Sequence, residues 1–164
     1  MIGKRMGGRL GIRCVLIGLL IANGLWVSLI AMEGVPFREA LFWYIEFGLH
    51  LLVGIAGALW AGYFFGQRAG MAILTKKRNM YLAGITYGWC TLWVGTLSGS
   101  AVELITRFNL NHTLWQMGDH YVFKPLYWAT LFGLVPVILL GIGFGSKMGS
   151  AKESSREEDR RYHP

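Results

Sequence analysis

Four stretches of this chain run for about 20 residues or more with almost no charge: Cys14–Met32, Ala40–Gly66, Met80–Val102 and Pro125–Ser146. As helices rising about 1.5 Å per residue, each is long enough to cross a hydrocarbon core of about 30 Å. Lipid offers no partner to a backbone N–H or C=O, so a spanning segment must be a helix or part of a closed barrel. The apolar–polar alternation that barrel strands require is absent from these stretches. The fold class expected is therefore all-α integral membrane, with four transmembrane helices. A 54% apolar content and a mean hydropathy of +0.42 agree with a membrane chain.

The four stretches are not independent. Leu41-Phe42-Trp43-x-x-x-Phe47-Gly48-Leu49 recurs as Leu126-Tyr127-Trp128-x-x-x-Phe132-Gly133-Leu134. Gly62-x-x-Phe65-Gly66-x-Arg68-x-Gly70 recurs as Gly141-x-x-Phe144-Gly145-x-Lys147-x-Gly149. Leu25-Trp26-Val27 has a looser echo in Leu92-Trp93-Val94. The pattern reads as one two-helix hairpin used in tandem, with repeat one at about 10–70 and repeat two at about 80–149. Both hairpins start on the same side, so the repeats are expected to superpose by rotation about an axis near the membrane normal. On this division, residues 1–146 form the transmembrane domain and 147–164 a charged cytoplasmic tail.

The net charge of +7 is an orientation signal. Thirteen of the sixteen Lys and Arg lie in the N-terminal arm, the middle connection (Arg68, Lys76, Lys77, Arg78) and the C-terminal tail. An even number of spans puts these three segments on one side, and the positive-inside rule makes that side cytoplasmic. The expected topology is N-in/C-in in the cytoplasmic membrane. Arg68, Lys76, Lys77 and Arg78 would then face a cytoplasmic partner or anionic lipid headgroups, and nucleic acid is not an expected partner. The basic start followed by an apolar run resembles a signal sequence, but the run is long and lacks an A-x-A site, so it reads as an uncleaved first span. Cys14 and Cys90 provide no disulfide framework.

Small residues recur at every fourth position in the second span: Gly54, Ala58, Gly62, Gly66 and Gly70. The fourth span repeats this at Gly141, Gly145 and Gly149, and Gly84/Gly88 and Gly95/Gly99 mark the third. Helices associate in lipid by close backbone approach, which such stripes permit. Packing within one bundle is the plain reading. An interface between subunits is the sharper one, and a homo-oligomer or a larger membrane complex is the partner it implies.

Glu46 and His50 are the ionisable side chains within the spans, tyrosines and Cys90 aside. Their i, i+4 spacing puts them on one helical face, and an intramembrane ionisable pair suggests ion, proton or ligand handling. Counting about 20 residues outward from Gly66 brings the outer edge to Phe47, so the pair also fits a structural role at the interface. The second repeat has Leu131 and Val135 at the matching positions. His112, Asp119 and His120 share the outer segment 103–124, but their spacing matches no metal motif. No nucleotide-binding loop, nucleophile elbow or Cys-x-x-Cys is present. No catalytic residues, metal or cofactor are expected.

The function expected is that of a non-enzymatic multi-pass subunit that self-associates, or scaffolds, anchors or signals for a partner complex. One alternative is a small oligomeric channel or transporter, with Glu46, His50, Asn23 and the third-span threonines lining a path. Another is a membrane redox subunit that uses His50 as a ligand.

Overall fold

The computed structural model describes residues 2–46, 48–75, 79–106 and 114–162. Among them all regular structure is helical: α1 (Ile2–Met32), α2 (Phe37–Glu46), α3 (Gly48–Thr75), α4 (Met80–Thr106), the short α5 (Leu114–Gly118), a π-helical turn (Asp119–Phe123) and α6 (Lys124–Tyr162). Four of these are long. Three runs, Gly3–Met32, Gly48–Thr75 and Trp115–Ser154, are long and apolar enough to cross a membrane.

α4, expected as the fourth span, is 27 residues long but is not one of these three. Its length, about 40 Å, is ample; its composition differs because Thr, Ser, Tyr, Trp and Gly replace much of the aliphatic content of its neighbours. Like α3, it is flanked on two sides, being packed between α3 and α6. Its hydroxyls turn back on its own backbone: Thr91 donates to the Tyr87 carbonyl at 2.9 Å, Thr96 to Leu92 at 2.9 Å and Ser98 to Val94 at 2.7 Å.

Glycine contacts fix an antiparallel register along the row α1, α3, α4, α6. Gly3, Gly7 and Gly11 of α1 meet Gly70, Gly66 and Gly62 of α3; a Cβ on Gly66 or Gly70 would sit 2.5 Å from the carbonyl oxygen of Gly7 or Gly3. Further along, α3 passes to α4, with Gly54 against Gly95 and Gly99, and Ala58 against Gly95. α4 meets α6 through Gly84 and Gly141, while a Cβ on Gly145 would lie 2.6 Å from the Met80 carbonyl oxygen. The Trp93 indole N–H donates to the Thr130 hydroxyl at 3.2 Å across the same pair. Such approaches replace side-chain interdigitation with backbone contact.

Each helix end has a local cause. Gly34 takes φ +70° after α1, with Val35 N–H bonded to the Ile30 carbonyl and Gly34 N–H to Ala31, both at 3.3 Å. This is a Schellman closure, which needs a left-handed residue and so favours glycine. Asn79 caps α4, its Oδ1 accepting from Tyr81 N–H at 3.0 Å. Pro125 follows the π-helical turn, which Lys124 N–H closes on the Asp119 carbonyl.

Three expected boundaries are corrected. α1 starts at Ile2, not near Cys14, because Gly3, Gly7 and Gly11 give residues 2–13 a packing face against α3. The helix of the second span, α3, continues past Gly70 to Thr75. α6 does not stop at Ser146 but continues through the charged segment to Tyr162, with Met148 fully buried and Lys152 Nζ donating to the Ile73 carbonyl at 3.0 Å. A lysine that caps the last turn of α3 explains why the helix persists into the segment expected as a charged tail.

Candidate functional site

The packed core lies at the basic end of the bundle, where Leu10, Ala69, Ile73, Ala83, Phe144 and Met148 come together from all four long helices. Lys4, Arg5, Arg9, Arg68 and Lys147 are exposed around this end, and the Arg68 guanidinium lies over the Phe64 ring at 4.4 Å. The inner part of α1 is thus two-faced, with glycines inward and basic side chains outward.

Away from that end the helices separate. A Cβ on Gly18 would lie 3.3 Å from Leu140 Cδ1 of α6; beyond it, every residue of α1 from Leu20 to Leu29 is exposed. The result is a cavity of about 990 Å³ between α1, α3, α4 and α6. Its walls are almost wholly apolar, with Leu25, Trp26, Trp128, Phe132 and Leu140 prominent. Glycines of α3 and α4 make much of the remaining wall, so the space is wide because those positions carry no side chain. Thr91 and Thr96 also line it, but their hydroxyls are committed to carbonyls of their own helix.

The expected polar pair is divided by this arrangement. His50 lines the cavity at its far end, whereas Glu46 is exposed at the last residue of α2 and is not part of the lining. Asn23 donates to the Leu19 carbonyl at 2.8 Å and is not a lining residue either. Thr86 is exposed and faces a separate small depression beside Asn79. The groups that would line an ion path therefore do not converge on one polar surface.

The small-residue stripe is occupied within the chain. Gly62, Gly66 and Gly70 are buried against α1, Gly54 and Ala58 meet α4, and Gly141 and Gly145 are buried against α4. Gly149 meets the Met80 sulfur. Gly3, Gly7 and Gly11 form the matching stripe, within the segment expected as a basic N-terminal arm. Their four-residue spacing, the same as that of Gly62, Gly66 and Gly70, was the signal. The cavity had no such signal, since its lining residues look like ordinary core in sequence.

Of the expected cytoplasmic contact residues, Arg68 is exposed, while Lys76, Lys77 and Arg78 lie outside the described residues. So does His112. His120 and Asp119 stand on the π-turn, 3.8 Å apart, with Lys124 Nζ 3.1 Å from Asp119. Among the described residues, no cluster of three or more His, Cys, Asp or Glu could hold a metal. No family model matches this chain, and no curated protein or solved structure is detectably similar to it.

Proposed function

We propose that this chain is a non-enzymatic, multi-pass subunit of the cytoplasmic membrane that anchors a partner at its basic face. The observation that carries this reading is the distribution of exposed surface. Leu20 at 73%, Leu52 at 66% and Leu139 at 63% exposure stand on three different spans, far more continuous apolar surface than a water-soluble monomer displays. Basic side chains gather at one end of the same bundle.

Four spans rather than three are supported by α4's position in the row. α4 runs antiparallel beside α3 from the Gly54–Gly99 contact to the shared Ala69 and Ala83 core. If α3 crosses the bilayer, α4 crosses with it, shielded from lipid on two sides. On this reading both termini and the connection between α3 and α4 lie on one side of the membrane. The tandem-repeat reading is supported by equivalent contacts: the Gly62–Gly70 motif packs on the helix preceding it, as its echo Gly141–Gly149 does.

Self-association is a weaker part of this reading, because the stripe that would mediate it is used inside the chain. The channel alternative has less support, because the polar groups that would line its path do not converge on one surface. Alkaline washing of membranes tests the proposal: the subunit stays in the pellet until detergent is added. Release by carbonate alone would refute it.

A further inference from the structure

We propose that Arg9 and Arg13 of α1 and Lys147 of α6 form a binding site for the phosphate of an anionic phospholipid in the inner leaflet. This rests on the membrane reading above and names a ligand for one part of its basic face. All three side chains are exposed. No acidic residue occurs in residues 1–32 or 124–152, and among the described residues none of the three takes part in an ion pair. The described ion pairs join Asp119 to Lys124 and His120, at the opposite end of the bundle. Charge of one sign beside hydrocarbon is costly without a counter-ion, so an anion from outside the chain completes the site.

The two helices bring the three cations to one level. α1 and α6 run antiparallel, with Gly18 of the first against Leu140 of the second. Seven residues past Leu140 is Lys147, and seven before Gly18 is Gly11, midway between Arg9 and Arg13. Two further observations agree with that register. Leu10, Phe144 and Met148 share one core cluster with Cys14 packed against it, and the charge of Lys147 reaches the Cys14 thiol. Arg9 and Arg13 are about 6 Å apart along the helix axis, and Lys147 stands between them in height.

Depth selects the anion. α1 ends at Met32, and about 20 residues inward from there the hydrocarbon edge falls near Ile12. The same count of about 20 residues from Pro125, in the first turn of α6, reaches Gly145. Both counts put the three cations in the headgroup layer, about 5–8 Å thick on each side, where lipid phosphates lie. Leu16, Ile17 and Ile142 are exposed just membrane-ward on the same helices, so acyl chains find apolar surface below the phosphate. A protein docking from the cytosol meets Lys4 and Arg5 first, since Arg5 stands about 12 Å farther out than Arg13. A guanidinium fork matches two phosphate oxygens at once, and the lysine adds a point charge. A zwitterionic headgroup brings its own ammonium into this cationic cluster, whereas a net-anionic one does not.

The test reconstitutes the full chain in vesicles of phosphatidylcholine and phosphatidylglycerol with matched acyl chains. The chain is extracted in mild detergent, and native mass spectrometry reads the ratio of the two retained lipids. The unsubstituted chain should retain phosphatidylglycerol in excess of its share of the vesicle. Arg9→Gln, Arg13→Gln and Lys147→Gln should each weaken that retention roughly fivefold, and the Arg13→Gln/Lys147→Gln double variant further. Arg5→Gln removes the same charge from the same helix outside the headgroup layer and should leave retention unchanged. Arg13→Lys should keep most of it. Should the double variant fail to fold, the single variants carry the same comparison. Equal loss in Arg5→Gln and Arg13→Gln would reduce the site to diffuse positive charge and overturn the proposal, as would retention without preference. Displacement of phosphatidylglycerol by excess inorganic phosphate would overturn it in favour of a soluble anion. Unchanged lipid in the double variant, with an acidic protein lost from its complex in native membranes, would overturn it in favour of a protein partner. A chain that leaves the membrane on alkaline washing fails the membrane reading itself, a distinct outcome.

Discussion

At the scale of single residues, glycines in this chain do two different jobs. Gly66 and Gly7 let two backbones touch, whereas a Cβ added to Gly24 or Gly143 would meet nothing within 4 Å. Gly66→Leu should therefore cost about 3 kcal/mol or more through overpacking against backbone that cannot give, and should abolish recovery of folded protein. Gly143→Leu should be tolerated within about 0.5 kcal/mol; thermal unfolding in detergent reads both. Equal loss from the two would show that the glycine stripes are not the closing contacts. Lys152 is a gentler case, because its partly buried ammonium donates to the Ile73 carbonyl. Lys152→Met keeps the stem and loses that bond, so a destabilisation of about 1 kcal/mol is expected. Glu46 is exposed and outside the cavity lining; Glu46→Gln should leave folding and assembly intact, read by size exclusion.

At the scale of elements, the sequence located the helices better than their ends. Apolar length placed all four long helices. Lys4, Arg5, Arg9 and Arg13 dominate the composition of the N-terminal segment and hide that the spacing of three side-chain-free positions holds it. The tail is similar: one lysine reaching back to α3 is invisible in a run of mixed charge. Glu46 and His50 looked like a pair at helical spacing, yet only His50 is part of the cavity lining. Deleting residues 2–12 distinguishes the two accounts of α1. A mere basic arm would be dispensable for folding, whereas a packed helix end that carries Gly3, Gly7, Leu10 and Gly11 should not be. Expression of the truncated chain and its unfolding midpoint should both drop sharply.

At the scale of the whole molecule, the bundle is closed at its basic end and open beyond. Stability is concentrated where four helices share Ala69, Ile73, Phe144 and Met148, and the outer half of α1 contributes little of it. Hydrogen exchange should therefore be slowest around Ala69–Ile73 and Ala83–Gly84 and much faster along α1 from Leu20 to Leu29. The central claim is that α4 crosses the membrane beside α3 despite its less apolar composition, which fixes the side on which every connection lies. Single-cysteine labelling of a Cys-free chain in intact cells, with a membrane-impermeant maleimide, measures this directly. Glu33→Cys and Asp119→Cys should label from outside, and Thr75→Cys and Ser154→Cys only after permeabilisation. Labelling of Thr75→Cys in intact cells, or of Ser154→Cys on the side opposite to it, would contradict the account.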